Sequence, residues 1–253
     1  MFLQLSTWPE VEGYLKSSTT CLIPIGSTEQ HGPSGFIGTD ALCPQLLAQG
    51  IEQATGCRVA PALSIGMAQQ HLGFAGSITL RPSTLMLVIQ DVVNSLARHG
   101  FDRFYFLNGH GGNIASVTAA FSVIYAESSL GTADSNRQPL MCKLKNWWDV
   151  PSVGAISRRR FGASEGSHAT CSEVSLTYYG WPEHQKRVPL TPEIAPTGPI
   201  YDAADYRRRF ADGRIGSNPA LASVEAGEEL YHAAVKELAS DYLGFARSGE
   251  QPL

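Results

Sequence analysis

Short apolar runs alternate with longer segments of helical periodicity between residues 21 and 144, and no other feature limits the possible fold as strongly. Each run is bounded by Gly, Pro, Asn or Asp, which is typical of β-strands. The runs are CLIPIG (21–26), RVAPALSIG (58–66), RFYFLNG (103–109) and PLMCKL (139–144), and the helical segments are residues 40–56, 82–100 and 113–131. Because the strands are almost continuously apolar, the alternation predicts a three-layer α/β/α fold with a mainly parallel central sheet.

The rest of the chain is less regular. Residues 145–166 mix aromatic, basic and glycine residues without a clear period, which favours a loop or lid before a helix near His168. Residues 182–219 are rich in Pro, Gly and charge, and we expect them to wrap the surface or contact another subunit. Residues 218–246 have a long amphipathic pattern that predicts the last helix. No internal repeat or linker is visible, so residues 1–253 are expected to form one domain.

Composition limits the kinds of partner. The net charge is −4 and the 19 basic residues are scattered, so there is no basic stripe for nucleic acid, and a small molecule is the expected partner. The five cysteines include no Cys-x-x-Cys pair, which favours reduced thiols in a cytosol. The chain has no signal-like start and no run of 18 apolar residues, so we expect a cytoplasmic protein that does not insert into membranes.

Acidic and imidazole side chains follow the first and third apolar runs, and a further pair follows later in the chain. Ligands of parallel sheets bind beyond the carboxyl ends of the strands, where these side chains should converge. Neutral imidazole and carboxylate suit zinc, manganese or iron, and five or six ligands allow one metal or a pair about 3.5–4 Å apart that activates a water. The candidates are Glu29, His31, Asp40, His110 and Asn113, together with His168 and Glu173.

Two other interpretations stay open at this point. Asp40 is also placed to cap a helix that begins at Ala41, which would make the acidic residues structural. The segment FYFLNGHGGNIASV superficially resembles a phosphate-binding loop, although it matches neither of the standard glycine patterns for nucleotides. The alternative function is therefore a noncatalytic ligand-binding or nucleotide-binding α/β protein.

Five segments together resemble the creatininase (creatinine amidohydrolase) family of metal-dependent amidohydrolases, in order from about residue 20 to about residue 230. They are PIGSTEQHGPSGFIGTD, HLGFAGSITLRPSTL, LNGHGGN, HATCSEVS and ADGRIGSNPALASVEAG. The resemblance implies an α/β fold with a largely parallel sheet and a homo-oligomer, commonly a hexamer. It also implies hydrolysis of a non-peptide C–N bond, in a cyclic amide or a formamide-like group, through a metal-activated water.

The resemblance also implies a role for individual residues. Gly112 stands where the enzyme that gives the family its name has a Glu, so the fifth ligand is taken from Glu173 in the later motif. His168 resembles the histidine near the scissile bond and is expected to donate a proton to the leaving nitrogen. The implied ligands of one or two divalent ions, with zinc favoured over manganese or iron, are Glu29, His31, Asp40, His110 and Glu173, with Asp40 bridging.

Other residues are weaker candidates for the same site. His71, in a segment that also resembles the family, is expected to line the substrate pocket or to have a structural role. Trp147 and Trp148 are candidates for an aromatic wall, with one of the pair expected in the core. Two Arg-Arg-Arg runs, at 158–160 and 207–209, are candidates for binding an acidic group or for a solvated surface.

Overall fold

The computed structural model describes residues 1–131 and 139–248, and in this part of the chain a four-stranded parallel sheet forms the centre. The strands are β1 (Thr20–Ile25), β2 (Arg58–Val59), β3 (Arg103–Asn108) and β4 (Met141–Asn146), in the spatial order β2-β1-β3-β4. The predicted parallel α/β architecture is confirmed. The second run was predicted too long: only two residues of 58–66 form a regular strand, and Leu63 adds one isolated bridge to Ile25.

Helices cover both faces of the sheet because successive strand residues point to opposite sides. In β1, Leu22 enters one hydrophobic core, whereas Cys21, Ile23 and Ile25 enter the other. The described helices are α1 (Trp8–Leu15), α2 (Thr39–Thr55), α3 (Pro82–Arg98), α4 (Ile114–Leu130), α5 (Pro151–Arg160), α6 (Cys171–Gly180), α7 (Ala203–Arg209) and α8 (Val224–Ala246). Helices α3 and α4 pack together on one face, and α2, α5, α6 and α8 pack on the other.

The irregular segments contain more helix than the sequence predicts. The expected loop or lid at 145–166 holds the 3₁₀ turn Trp147–Asp149 and helix α5. The helix expected near His168 begins at Cys171, because Thr170 is its N-cap and Glu173 completes a capping box. Helix α7 lies within the segment 182–219, which is otherwise extended or turn-like. In the described part of the chain, no helix combines the length and apolar character needed to cross a bilayer.

The strand register brings the ends of three strands to one edge of the sheet. Ile25 is paired with Asn108, and Asn108 with Asn146, so β1, β3 and β4 end side by side. The Asn108 side chain donates to Oδ1 of Asn146 at 2.8 Å and to the carbonyl of His110 at 2.8 Å. The loops that carry the candidate site residues therefore start from one rigid edge.

Candidate metal centre and active site

Asp40 lies in the first turn of α2, directly above the ends of β1 and β3. The N-cap of α2 is Gly38, and the Asp40 side chain makes no capping bond, so the helix-cap interpretation of Asp40 is not supported. A Cβ on Gly26 or on Gly109 would lie 2.0 Å from the Asp40 carbonyl oxygen. Only glycine at these two positions lets the helix approach the strand ends closely enough for Asp40 to reach the side chains of both loops.

Two groups of possible ligands share Asp40. Glu29, Asp40 and His110 form one group, and His31, Asp40 and Glu173 form the other; within each, ligand atoms lie within 4.8 Å of one another. Nε2 of His31 is 2.9 Å from Oδ1 of Asp40, and Nδ1 of His110 is 2.8 Å from Oδ2. Each Asp40 oxygen thus faces a different histidine. Among the described residues, Asp40 is therefore the one carboxylate that contacts both groups.

The buried oxygens of this cluster suit a metal ion. Both oxygens of Glu29 and Oδ2 of Asp40 are buried, and the groups that face them are histidine nitrogens: Nε2 of His71 lies 3.0 Å from Oε1 of Glu29, and Nδ1 of His110 lies 2.8 Å from Oδ2 of Asp40. Buried carboxylates are costly unless they are paired or coordinate a cation. Imidazole and carboxylate, without thiolate, are ligands that suit zinc, manganese or iron. The donor set therefore fits a divalent transition metal.

Backbone carbonyls orient the two candidate histidine ligands. Nδ1 of His31 lies 3.1 Å from the carbonyl oxygen of Glu29, and Nε2 of His110 lies 2.9 Å from that of Met67. A carbonyl oxygen only accepts, so these nitrogens carry the ring hydrogens. The other nitrogens, Nε2 of His31 and Nδ1 of His110, face Asp40, and each would offer its lone pair to a cation once it gives up the proton that it shares with this carboxylate. Metal-binding histidines are commonly held in this way.

The ionisation of the cluster is strongly perturbed. Burial raises the pKa of Glu29 and raises the pKa of Glu173 to about 7. Burial opposes the charged form of His31, but Asp40 beside it raises its pKa to about 10. For His110, burial is likewise outweighed by Glu29 and Asp40, which raise its pKa to about 9. The protonated rings of His31 and His110 thus supply positive charge beside the carboxylates of the cluster. A bound divalent cation would supply that charge in their place.

A cavity of about 710 Å³ opens above this cluster. His71 and His168 form one wall, with ring centroids 4.5 Å apart, and Nδ1 of His168 lies 3.8 Å from Oε1 of Glu29. Burial lowers the pKa of His71 to about 3 and holds the pKa of His168 well below its usual range. Trp147, which is buried in the core, and the half-buried Trp148 also line the cavity.

The structure therefore brings every sequence-predicted site residue to this one region. The arginine runs, in contrast, are divided: Arg158 lies on the cavity wall, whereas Arg159 and Arg160 form ion pairs with Glu229. In the second run, Arg207 lies over the Phe74 ring, and its two neighbours pair with an aspartate on the same helix.

Three polar residues support the site: Asn113, which the sequence listed among the candidates, and Gln30 and Tyr206, to which it assigned no role. Asn113 ties two loops together, since its Oδ1 accepts from the Met67 amide at 3.0 Å and its Nδ2 donates to the Gly26 carbonyl at 2.9 Å. Tyr206 is fully buried with its ring 4.7 Å from that of His71, and Gln30 contacts both His71 and His168. No local pattern marks Tyr206. The start of α6 did carry a signal, the Thr-x-x-Glu pattern of a capping box.

The chain is similar to known proteins along most of its length. The family model for creatininase, described as creatinine amidohydrolase, matches residues 4–241. Creatinine amidohydrolase of Pseudomonas putida is 27% identical over 253 residues, which cover 94% of this chain and 95% of that protein. The mycofactocin precursor peptide peptidase of Mycobacterium ulcerans (strain Agy99) is 32% identical over 131 residues, 48% of either chain. A solved structure described as "Creatininase Mn" has a TM-score of 0.82 and 25% identity, covering 96% of this chain and 98% of that chain.

Proposed function

The chain belongs to the creatininase family and is a metal-dependent amidohydrolase, and we propose that it cleaves a cyclic amide or formamide-like C–N bond of a small molecule. One observation carries this proposal: two groups of metal-binding side chains share Asp40 beneath a cavity of about 710 Å³. A cavity of this kind with converging polar groups is where a small-molecule substrate binds.

We assign the metal ligands from the same contacts. The first ion would be held by Glu29 and His110 and the second by His31 and Glu173, with Asp40 between them. Zinc is our first choice because it suits imidazole and carboxylate ligands, and one structural relative described as "Creatininase Mn" makes manganese the second. When bound, such ions lower the pKa of a coordinated water toward neutrality and polarise an amide carbonyl.

The side chains of the cavity supply the remaining steps. His168 would move a proton to the leaving nitrogen, since it lies beside the ligand cluster with Nδ1 3.8 Å from Glu29. Trp147 and Trp148 would form a wall that holds a planar group and excludes water.

We further propose that residues 1–253 act as one domain in the cytoplasm, as a homo-oligomer that the family resemblance makes hexameric. All five cysteines are free, which supports a reducing compartment. Trp8 and Leu5, three positions apart in the N-terminal segment, are 74% and 79% exposed, and exposed apolar side chains are a feature of subunit contacts.

The test is metal analysis of protein purified without added metal or chelator. We expect about one to two equivalents of transition metal per chain, lost in His110→Ala but kept in the control His232→Ala, whose histidine is exposed on α8. The metal-loaded protein would then be screened against cyclic amides and formamides. A chain that neither contains nor takes up metal would refute the proposal and favour the noncatalytic binding protein.

A further inference from the structure

The side-chain amide of Gln30 is buried between two backbone groups that fix its orientation. Its Oε1 accepts from the Gly32 amide at 2.8 Å, and its Nε2 donates to the Gly213 carbonyl at 2.9 Å. A backbone N–H can only donate and a carbonyl can only accept. If the Gln30 amide were flipped, its NH₂ group would face the Gly32 N–H and its oxygen would face the Gly213 carbonyl. The positions of the oxygen and the nitrogen are therefore determined by the backbone.

Three atoms lie within reach of the one remaining hydrogen on this amide. Nδ1 of His71 and Nε2 of His168 both lie 2.9 Å from Nε2 of Gln30, and the Tyr206 hydroxyl is the most distant at 3.5 Å. However, Nε2 of His168 also lies 2.8 Å from the backbone carbonyl oxygen of Gln30, and a carbonyl oxygen can only accept a hydrogen bond. This ring nitrogen must therefore carry a hydrogen and cannot accept another. The free amide hydrogen goes to Nδ1 of His71.

We propose that Gln30 is a positioning residue that sets the ring hydrogens of both histidines. His71 is held with its hydrogen on Nε2, which lies 3.0 Å from Oε1 of Glu29. His168 is also held with its hydrogen on Nε2, so that its Nδ1, which lies 3.8 Å from Oε1 of Glu29, is the nitrogen turned toward the ligand cluster. The second assignment rests on the proposed function, because it names the atom through which His168 acts.

This arrangement has a consequence for the first metal position. With a hydrogen on Nε2, His71 faces Glu29 with positive polarity and holds the carboxylate in place, and it has no lone pair there to bind metal. The opposite arrangement would set a lone pair against a carboxylate oxygen. Tyr206 also restrains Gly213 and His71. Its hydroxyl donates to the same Gly213 carbonyl at 2.8 Å, and its ring packs edge-on against His71. His71 thus supports a ligand, which is the structural one of the two roles that the sequence left open.

The direct test needs no substitution in the measured protein. Two-bond ¹H–¹⁵N spectra of the zinc-loaded wild-type protein distinguish protonated from unprotonated ring nitrogens, and His71→Gln and His168→Gln assign the signals by their absence. We expect Nδ1 of His71 unprotonated and Nε2 of His168 protonated. A protonated Nδ1 on His71, or an unprotonated Nε2 on His168, would overturn the proposal.

Variants test whether this arrangement matters for metal binding. Gln30→Glu has nearly the same shape but no hydrogen to give, so His71 should move its hydrogen to Nδ1 and zinc affinity should fall about 10–100-fold. His71→Leu should lose as much, whereas His71→Gln keeps a donor and should recover most of the affinity. Equal zinc affinity in His71→Leu and wild type would overturn the positioning role.

Different results would refute the proposed function and the role of Gln30. If wild-type protein binds zinc and the ring hydrogens are the reverse of those expected, only the role of Gln30 is wrong. If wild-type protein binds neither zinc nor manganese, the proposed function and the inference that rests on it are both wrong.

Discussion

Two adjacent glycines in the loop after β3 allow a sharp test of the metal centre. A Cβ built on Gly112 would lie 2.4 Å from Nε2 of His110 and 2.6 Å from the Met67 carbonyl oxygen, whereas one on Gly111 meets nothing within 4 Å. Neither glycine has a positive φ, so alanine is allowed by the backbone at both. The pair differs only in what the new methyl group touches.

The size of the effect follows from these distances. Ordinary contact begins at 3.4 Å, so Gly112→Ala must displace the His110 ring by about 1 Å and separate it from the carbonyl that orients it. We expect zinc affinity to fall about 10–100-fold. Overpacking should also cost about 1–3 kcal/mol, which lowers the melting temperature of the metal-free protein by roughly 2–12 °C. Gly111→Ala should bind zinc normally and be neutral or about 0.4–1 kcal/mol more stable.

Both quantities can be measured on the same preparations, zinc affinity by competition with a chromogenic chelator and stability by thermal unfolding in excess chelator. Wild-type zinc affinity in Gly112→Ala, or an equal loss in Gly111→Ala, would refute the assignment of His110 as an oriented ligand. A side chain at position 112 of this chain would meet His110, and the candidate acid of the second group is Glu173 on α6.

Three further outcomes are expected. Glu173→Gln should lower zinc from two equivalents to one with little change in melting temperature, because the amide oxygen can still accept from the Thr170 amide; two tightly held ions would contradict the shared-ligand arrangement. His168→Ala should keep its metal but lose about 10²–10⁴-fold in turnover of any substrate found, and unchanged turnover would exclude His168 from the chemistry. The pKa values of about 10 for His31 and about 9 for His110 lie above the ordinary 6.5. The stability that these protonated histidines give the metal-free protein is therefore complete below about pH 6.5 and is lost as the pH rises through 9–10. Zinc affinity should rise over the same pH range, because zinc then displaces fewer protons from these histidines. Calorimetry in buffers of different ionisation enthalpy would measure the proton release. A zinc affinity that does not change with pH would contradict this prediction.

The sequence by itself determined the layered fold and half of the candidate site. Strand positions follow from local apolar runs, and parallel strands place their carboxyl ends at one edge, so Glu29 and His31 after β1 and His110 after β3 were expected to meet. Hydrophobic periodicity predicts strands and helices well because they depend on residues close together in the chain. It predicts the ends of strands less well, since in the run 58–66 only two residues form a regular strand.

Tertiary structure alone decided which distant residues contact one another and in what state they act. The family resemblance named Glu173, but only the packing of separate elements brings it beside Asp40, 133 positions earlier. The same packing places Tyr206, which no local pattern marks, against His71, 135 positions earlier. Packing also places Arg158 on the cavity wall, while Arg159 and Arg160 form ion pairs with Glu229. The hydrogen on each histidine ring depends on which backbone carbonyl or amide lies against it in the fold, because donors and acceptors are matched only once the loops are in contact.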